Sequence, residues 1–276
     1  MPVLLMTVWL TGCVQEELGS TPSPTGNGIR FTLTVPDVNL PSVSSRTMTG
    51  TGTAKKEDEI ETVDILVFDM SKTPAVYLEC VSATGVTQDL ADNSTVSFSA
   101  VLSPTTASTC IVVVANKELD NIVPGFIKGT TTKVEAMEKM LHAQTGKWLA
   151  DGSTTDGYTR IPMYGEKVIS KITPSMDPIT GINMKRMLAR IDIRNNSATS
   201  NFTVEEVYLA NYNTTGYIAP AWNTNGQVTD PAPDTPVLPV NSGKMTEEGD
   251  AILYSVNGNT PYEGEIYTFE SIAAED

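Results

Sequence analysis

A chain of 276 residues that is 40% apolar is long enough for two ordinary domains, each with a core of its own. Eighteen Lys and Arg against 33 Asp and Glu leave a net charge of −15, which is repelled by a nucleic-acid backbone or an anionic lipid surface. A single histidine, His142, removes the hydrolase triads, His-ligated zinc sites and haem proteins that depend on imidazole. Abundant Thr, Ser, Asn, Gly and Pro with only 7% aromatic residues suit short strands and many turns.

Residues 1–10, MPVLLMTVWL, form an apolar run about half as long as a membrane-spanning helix needs, and residues 1–12 therefore read as a signal peptide. No Lys or Arg precedes the run, so the positive leader of such a peptide is expected upstream. Leu10-Thr11-Gly12-Cys13 resembles the bacterial lipoprotein box, in which small residues admit a signal peptidase just before a cysteine that takes lipid. Cys13 is the expected lipidation site, which makes palmitate a modification rather than a cofactor. Residues 13–28, with Gln15, Glu16, Glu17 and a Gly/Ser/Thr/Pro run, are too poor in apolar groups to pack and read as a flexible tether.

From residue 29 the pattern becomes β. Ile29, Phe31, Leu33 and Val35 alternate with polar residues and stop at Pro36, as in a half-buried strand. Residues 41–56 read as an exposed loop around Ser44-Ser45-Arg46-Thr47. Strands are expected over 59–69, 76–80, 96–102 and 111–115, the last so β-branched that it belongs inside a sheet. Cys80 and Cys110 fall in these segments. They either pair as a disulfide or remain buried thiols, and the Cα separation decides between the two.

Val134, Met137, Met140, Leu141 and Trp148 fall at helical spacing and predict one principal helix over 132–149. A turn-rich loop over 151–157 lacks the alternating acidic ligands and closing Glu of a calcium loop, so no metal site is expected. A second β series covers 168–169, 184–193, 202–209, 252–256 and 265–270, interrupted by a Pro-rich loop over 230–239. These patterns divide the chain into an N-terminal domain over 29–167 and a C-terminal domain over 168–276, the second reading as incomplete.

Several short motifs stand in a fixed order: the lipoprotein box, Ser45-Arg46-Thr47, VDILVFD over 63–69, IVVVAN over 111–116, IPMYGE over 161–166, MLARIDI over 187–193, FTVEEVYLAN over 202–211 and IYTFE over 266–270. Together they resemble the fimbrillin superfamily of Bacteroidetes, which includes major fimbrial subunits and their anchor and tip relatives. The resemblance implies an all-β fold with one main helix, two tandem transthyretin-like β-sandwiches, and export as a surface lipoprotein of the outer membrane. It also implies that an arginine-specific protease cuts in the loop after the first strand, and Arg46 matches that position. The strand bearing Ile29, Phe31, Leu33 and Val35 would then be displaced, and a strand from a neighbouring subunit would fill its place.

The function expected from this resemblance is a structural subunit of a cell-surface fimbria that supports adhesion. The alternative is a non-polymerising surface lipoprotein, an anchor or tip adhesin that binds a host protein or glycan. Expected partners are other fimbrial subunits, the outer membrane through the lipid, and host surface proteins or glycans, with no nucleic acid and no cofactor. Catalysis is not expected, because the nucleophiles on offer are Cys80 or Cys110 with His142, and no protease signature surrounds them. Gly50-Thr-Gly-Thr is too short for a phosphate loop and no helix follows it.

Overall fold

Two long strands have no polar face. Val63–Asp69 and Thr109–Ala115 are rich in Val and Ile, and the second is buried at every position. Strands of this kind must lie inside a sheet covered on both sides. The computed structural model describes residues 28–35, 57–88, 95–149, 159–195, 201–229, 237–240, 251–258 and 262–271, and places both strands there. In chain order the strands are β1 (Ile29–Thr34), β2 (Val63–Asp69), β3 (Val76–Ser82), β4 (Thr84–Gln88), β5 (Thr95–Ala100) and β6 (Thr109–Ala115). After the helix α1 (Lys133–Lys139) come β7 (Leu141–Ala143), β8 (Met163–Ile169), β9 (Ile179–Asn183), β10 (Lys185–Arg186) and β11 (Leu188–Ile193). The last four are β12 (Glu206–Leu209), β13 (Thr215–Tyr217), β14 (Ile252–Ser255) and β15 (Tyr262–Phe269).

The central sheet runs β10-β8-β6-β2-β3, and an outer sheet runs β4-β5-β1-β9. Between them lies a core built from Ile29, Phe31 and Leu33 of β1, Val96 and Phe98 of β5, and Ile65, Val67, Ile111 and Val113 of the central sheet. The opposite face of the central sheet carries Leu66, Phe68, Val112, Val114 and Tyr164. It is covered by α1, by Trp148, and by Tyr267 and Phe269 from β15, which pairs with β11. Beyond β11 and β15, a smaller cluster of Tyr212, Ile252, Tyr254 and Ile266 seats the β12–β14 pair. The fold is an all-β sandwich with one α-helix among the described residues.

The sandwich draws strands from both sides of the division expected at 167/168, which falls inside β8. β9 pairs with β1, and β10 pairs with β8, so the two main sheets extend to Arg186. The contact between β8 and the β9–β10 segment is close. A Cβ on Gly165 would lie 2.7 Å from Met184 Sδ and 2.8 Å from Ile182 Cγ2, which leaves glycine as the residue that fits.

The helix is shorter than the expected 132–149. Thr132 caps it, accepting from the Glu135 amide while the Glu135 carboxylate accepts from the Thr132 amide. At Met140 the backbone leaves the helical region (φ −80°, ψ 78°), and Leu141–Ala143 instead pairs with β13. Met137, Met140 and Trp148 all reach the core, but only Met137 does so from the helix. The inward face of α1 also carries Lys133, 2% exposed, whose Nζ donates to Glu166 Oε2 at 2.6 Å. Tyr164 donates its hydroxyl to the same oxygen at 2.5 Å, and burial, then the Glu166 charge, holds that hydroxyl protonated.

Two consequences can be measured. Lys133→Met keeps the aliphatic stem but removes the cation facing Glu166, and is expected to lower the unfolding free energy by about 3 kcal/mol in urea denaturation. Adding Glu166→Gln should recover part of that loss, since the two residues act as a pair. His142 packs its ring 5.0 Å from Trp148, and burial, then the Lys117 charge, pushes its pKa from 6.5 down to about 4. The unfolded chain therefore takes up this proton at a higher pH than the folded one, so stability should fall as pH drops from 6.5 to 4. Melting temperatures recorded across that window should show a shallower slope for His142→Leu than for wild type.

Candidate functional site

The residues expected to form a displaceable strand sit in a slot. Ile29, Phe31, Leu33 and Val35 are 4%, 1%, 0% and 1% exposed, whereas Arg30 and Thr34 face solvent. One wall of the slot is β5, antiparallel to β1 and paired with it from Ile29↔Ala100 to Thr34↔Thr95 without interruption. Phe31 stacks on Phe98 across this seam, with ring centroids 5.0 Å apart and planes 8° apart. The floor is the central sheet, with Ile65, Val67, Ile111, Val113 and Met163 in the shared core. Four side chains buried at about 1.5–3 kcal/mol each give a gross hydrophobic term of ~6–12 kcal/mol for seating this strand.

The other wall is β9, which runs parallel to β1. Its register shifts between Phe31↔Ile179 and Leu33↔Ile182, so three residues of β9 span two of β1. This is a bulge, and Gly181 supplies it with φ at +72°. Ile179 and Ile182, three apart, would point to opposite faces of a regular strand. The bulge turns both inward, where they are 3% and 0% exposed.

The chain re-enters the described region at Glu57, which is 2% exposed although it carries a carboxylate. A buried charge needs partners, and Glu57 has a set of them. Arg190 Nη1 donates to its two oxygens at 3.0 and 3.1 Å, and the Tyr267 hydroxyl donates to Oε1 at 2.7 Å. Burial, then the Glu57 interaction, holds the Tyr267 hydroxyl protonated far above the ordinary tyrosine range. Arg186 Nε donates to the Glu57 carbonyl at 3.2 Å, and its Nη2 meets Asp58 Oδ1 at 2.6 Å. Farther on, the Gln88 amide donates to the Asp58 carbonyl at 2.7 Å, and the Asn116 amide donates to the Glu59 carbonyl at 2.7 Å. Residues 57–59 are thus fastened to β10, β11 and β15 by contacts that do not involve β1.

Cys13 and Arg46 lie outside the described residues. Cys80 and Cys110 are brought to the same sheet but not together. β2 runs between them, with Leu66 opposite Cys80 and Phe68 opposite Cys110. Two strand spacings of about 4.8 Å put their Cα atoms well beyond the ~7 Å that a disulfide can span. Both are free thiols, so the disulfide alternative does not hold. Burial, as the leading cause in both, pushes their pKa values up to about 12 for Cys80 and about 11 for Cys110.

Among the described residues no group of three or more His, Cys, Asp or Glu could hold a metal ion, and no helix is long and apolar enough to cross a membrane. Sequence reasoning missed Glu57, Arg186, Arg190, Tyr267 and the role of β9. A usable signal was Arg190 and Asp192 standing in phase with Leu188 inside an apolar segment, which puts two opposite charges on the face that carries an apolar side chain and calls for partners there.

Comparison with solved structures finds a fimbrial assembly protein from Parabacteroides distasonis, 11% identical, covering 86% of this chain and 88% of its own, with a TM-score of 0.40. It also finds a candidate cell adhesion protein from the same organism, 18% identical, covering 91% of this chain and 73% of its own, with a TM-score of 0.46. Comparison with curated proteins returns no match. The family of fimbrillin-A associated anchor proteins Mfa1 and Mfa2 matches residues 23–273. With nearly its whole length so matched, the chain belongs to that family of fimbria-associated proteins.

Proposed function

We propose that this protein is a subunit of a cell-surface fimbria, exported as a lipoprotein through Cys13 and joined to other subunits by strand exchange in support of adhesion. The observation that carries the proposal is the seating of β1. The strand lies between β5 and β9 with its whole apolar row buried, and the chain that follows is fastened separately at Glu57. A cut after Arg46 would break the covalent link between β1 and the rest of the fold and leave the Glu57 contacts intact. While the link persists, tethering gives β1 a high effective concentration that an outside strand cannot match. Once β1 leaves, the slot exposes apolar side chains and unpaired backbone groups, and an alternating strand from a neighbouring subunit satisfies both.

A second reading is favoured by the family description, which names anchor proteins. In it the protein keeps β1 in place, stays uncut, and holds a fimbria or a host ligand at the membrane without polymerising. The two readings differ in the fate of the segment carrying Arg46.

Two measurements test this. Metabolic labelling with a fatty-acid probe should mark wild type and leave Cys13→Ala unlabelled, and equal labelling of both removes the lipoprotein assignment. Treatment with an arginine-specific protease, followed by addition of a donor-bearing partner subunit, should produce growth in light scattering for wild type and none for Arg46→Ala. An uncut Arg46→Ala protein that still polymerises overturns the exchange mechanism, and a cut wild type that does not grow favours the anchor reading.

A further inference from the structure

The two walls of the β1 slot are not equivalent. β5 is held on its far side by β4, through Thr84↔Ser99, Thr87↔Ser97 and Gln88↔Val96. β9 stands at the end of the outer sheet, and among the described residues β1 is its sole strand partner. The next residue, Met184, also donates its amide to β1, at 2.8 Å from the Thr34 carbonyl. On either side of this stretch the chain is tied to other parts of the fold. Upstream, Ile172 and Thr105 exchange hydrogen bonds, Thr105 N to the Ile172 carbonyl at 3.0 Å and Ile172 N to Thr105 Oγ1 at 2.8 Å. Downstream, Lys185 and Arg186 pair with Tyr164 and Met163 of β8.

We infer that residues 173–184 form a flap over the β1 slot, docked by whichever strand occupies that slot and released when the slot is empty. The inference rests on the strand-exchange reading and adds an order of events to it. With β1 gone, β9 loses its backbone ladder and keeps the packing of Ile179 and Ile182, together with the Lys167 ammonium on the Thr180 carbonyl. Unpaired amides at a sheet edge are hydrated or seek another strand. The bulge at Gly181 is where the flap bends, because its left-handed conformation is tolerated by glycine and strained in other residues. An incoming strand therefore meets one prepared wall. β5 keeps its partner and presents an unbroken row of pairing groups, so it templates the newcomer antiparallel to itself, in the direction of β1. β9 closes second, as the parallel strand whose bulge accommodates the side chains already seated. The partner that fits is an extended segment with apolar residues at alternate positions and an aromatic ring at the place of Phe31.

The test uses the full chain with a specific protease site inserted between residues 36 and 56, and a synthetic peptide of residues 28–36, GIRFTLTVP, as the donor probe. After cutting and removal of β1 in mild denaturant, hydrogen exchange read by mass spectrometry should speed up about tenfold or more across residues 179–184. Residues 163–169 should keep nearly all their protection, residues 95–100 should keep that of the amides on the β4 side while those facing the empty slot speed up, and adding the peptide should restore both these and 179–184. Unchanged protection of 179–184 in the emptied protein, with the peptide still binding, overturns the flap and leaves strand exchange standing. Failure of the peptide to bind overturns both. Gly181→Ala, which leaves β5 and the central sheet untouched, should speed replacement of cut β1 by labelled peptide several-fold, and an unchanged rate counts against the flap.

Discussion

A sheet that is apolar on both faces must be covered twice, and that requirement organises this protein. β2 and β6 carry Val, Ile, Leu and Phe inward on each side, so neither face of the central sheet can be left to water. One cover is the outer sheet, to which β1 contributes Phe31 and Leu33. The other is assembled from α1, the Trp148 loop and the β11–β15 pair, which brings residues from the far end of the sequence back onto the first half. The two halves are therefore joined by a continuous apolar layer. The Glu57 cluster lies at the same junction, where Arg186, Arg190 and Tyr267 converge on a residue from the first quarter of the sequence.

Within this arrangement β1 differs from the other strands of the sandwich. Its inward row is as well buried as the residues of β6, yet it precedes the long segment 36–56 and can be considered apart from the strands that follow. The rest of the core does not need the covalent link through that segment, because residues 57–59 are fixed by their own polar contacts. A strand buried this deeply but attached this simply is suited to replacement, provided that another strand fills the same space. Under the proposed exchange the same proviso would fix the chemistry of the donor. The slot asks for shape at Phe31, where the ring lies flat on Phe98, and for apolar bulk at the other inward positions.

The strands that were legible from the sequence are those with a clean signal. β1 shows strict alternation, and β2 and β6 show β-branched runs with no wet face. The helix was over-read because Met140, Leu141 and Trp148 continue a helical spacing by coincidence, with Met140 and Trp148 reaching the core from non-helical backbone. β9 was missed for the opposite reason. Its bulge places Ile179 and Ile182 on one face at a spacing that fits no regular strand, so the period-two pattern is absent. Glu57 sits in Lys-Lys-Glu-Asp-Glu, a run that reads as solvated, and only its distant partners reveal that it is buried. Long-range ion pairs of this kind leave half of their signature in each of two remote segments, and the visible half here was the Arg190–Asp192 alternation.

The cysteines carry a consequence of another sort. Small exported domains often rely on cross-links because their cores are too slight to hold them. Here the core is large, and the two thiols within it are kept apart by a strand and kept protonated by burial, with pKa values near 12 and 11. At neutral pH they offer almost no thiolate, the form that attacks disulfides and oxidants. The described fold is thereby indifferent to its redox surroundings. It has no disulfide among the described residues for a reductant to open, and its two thiols are poorly placed to pair with each other or with a thiol from outside.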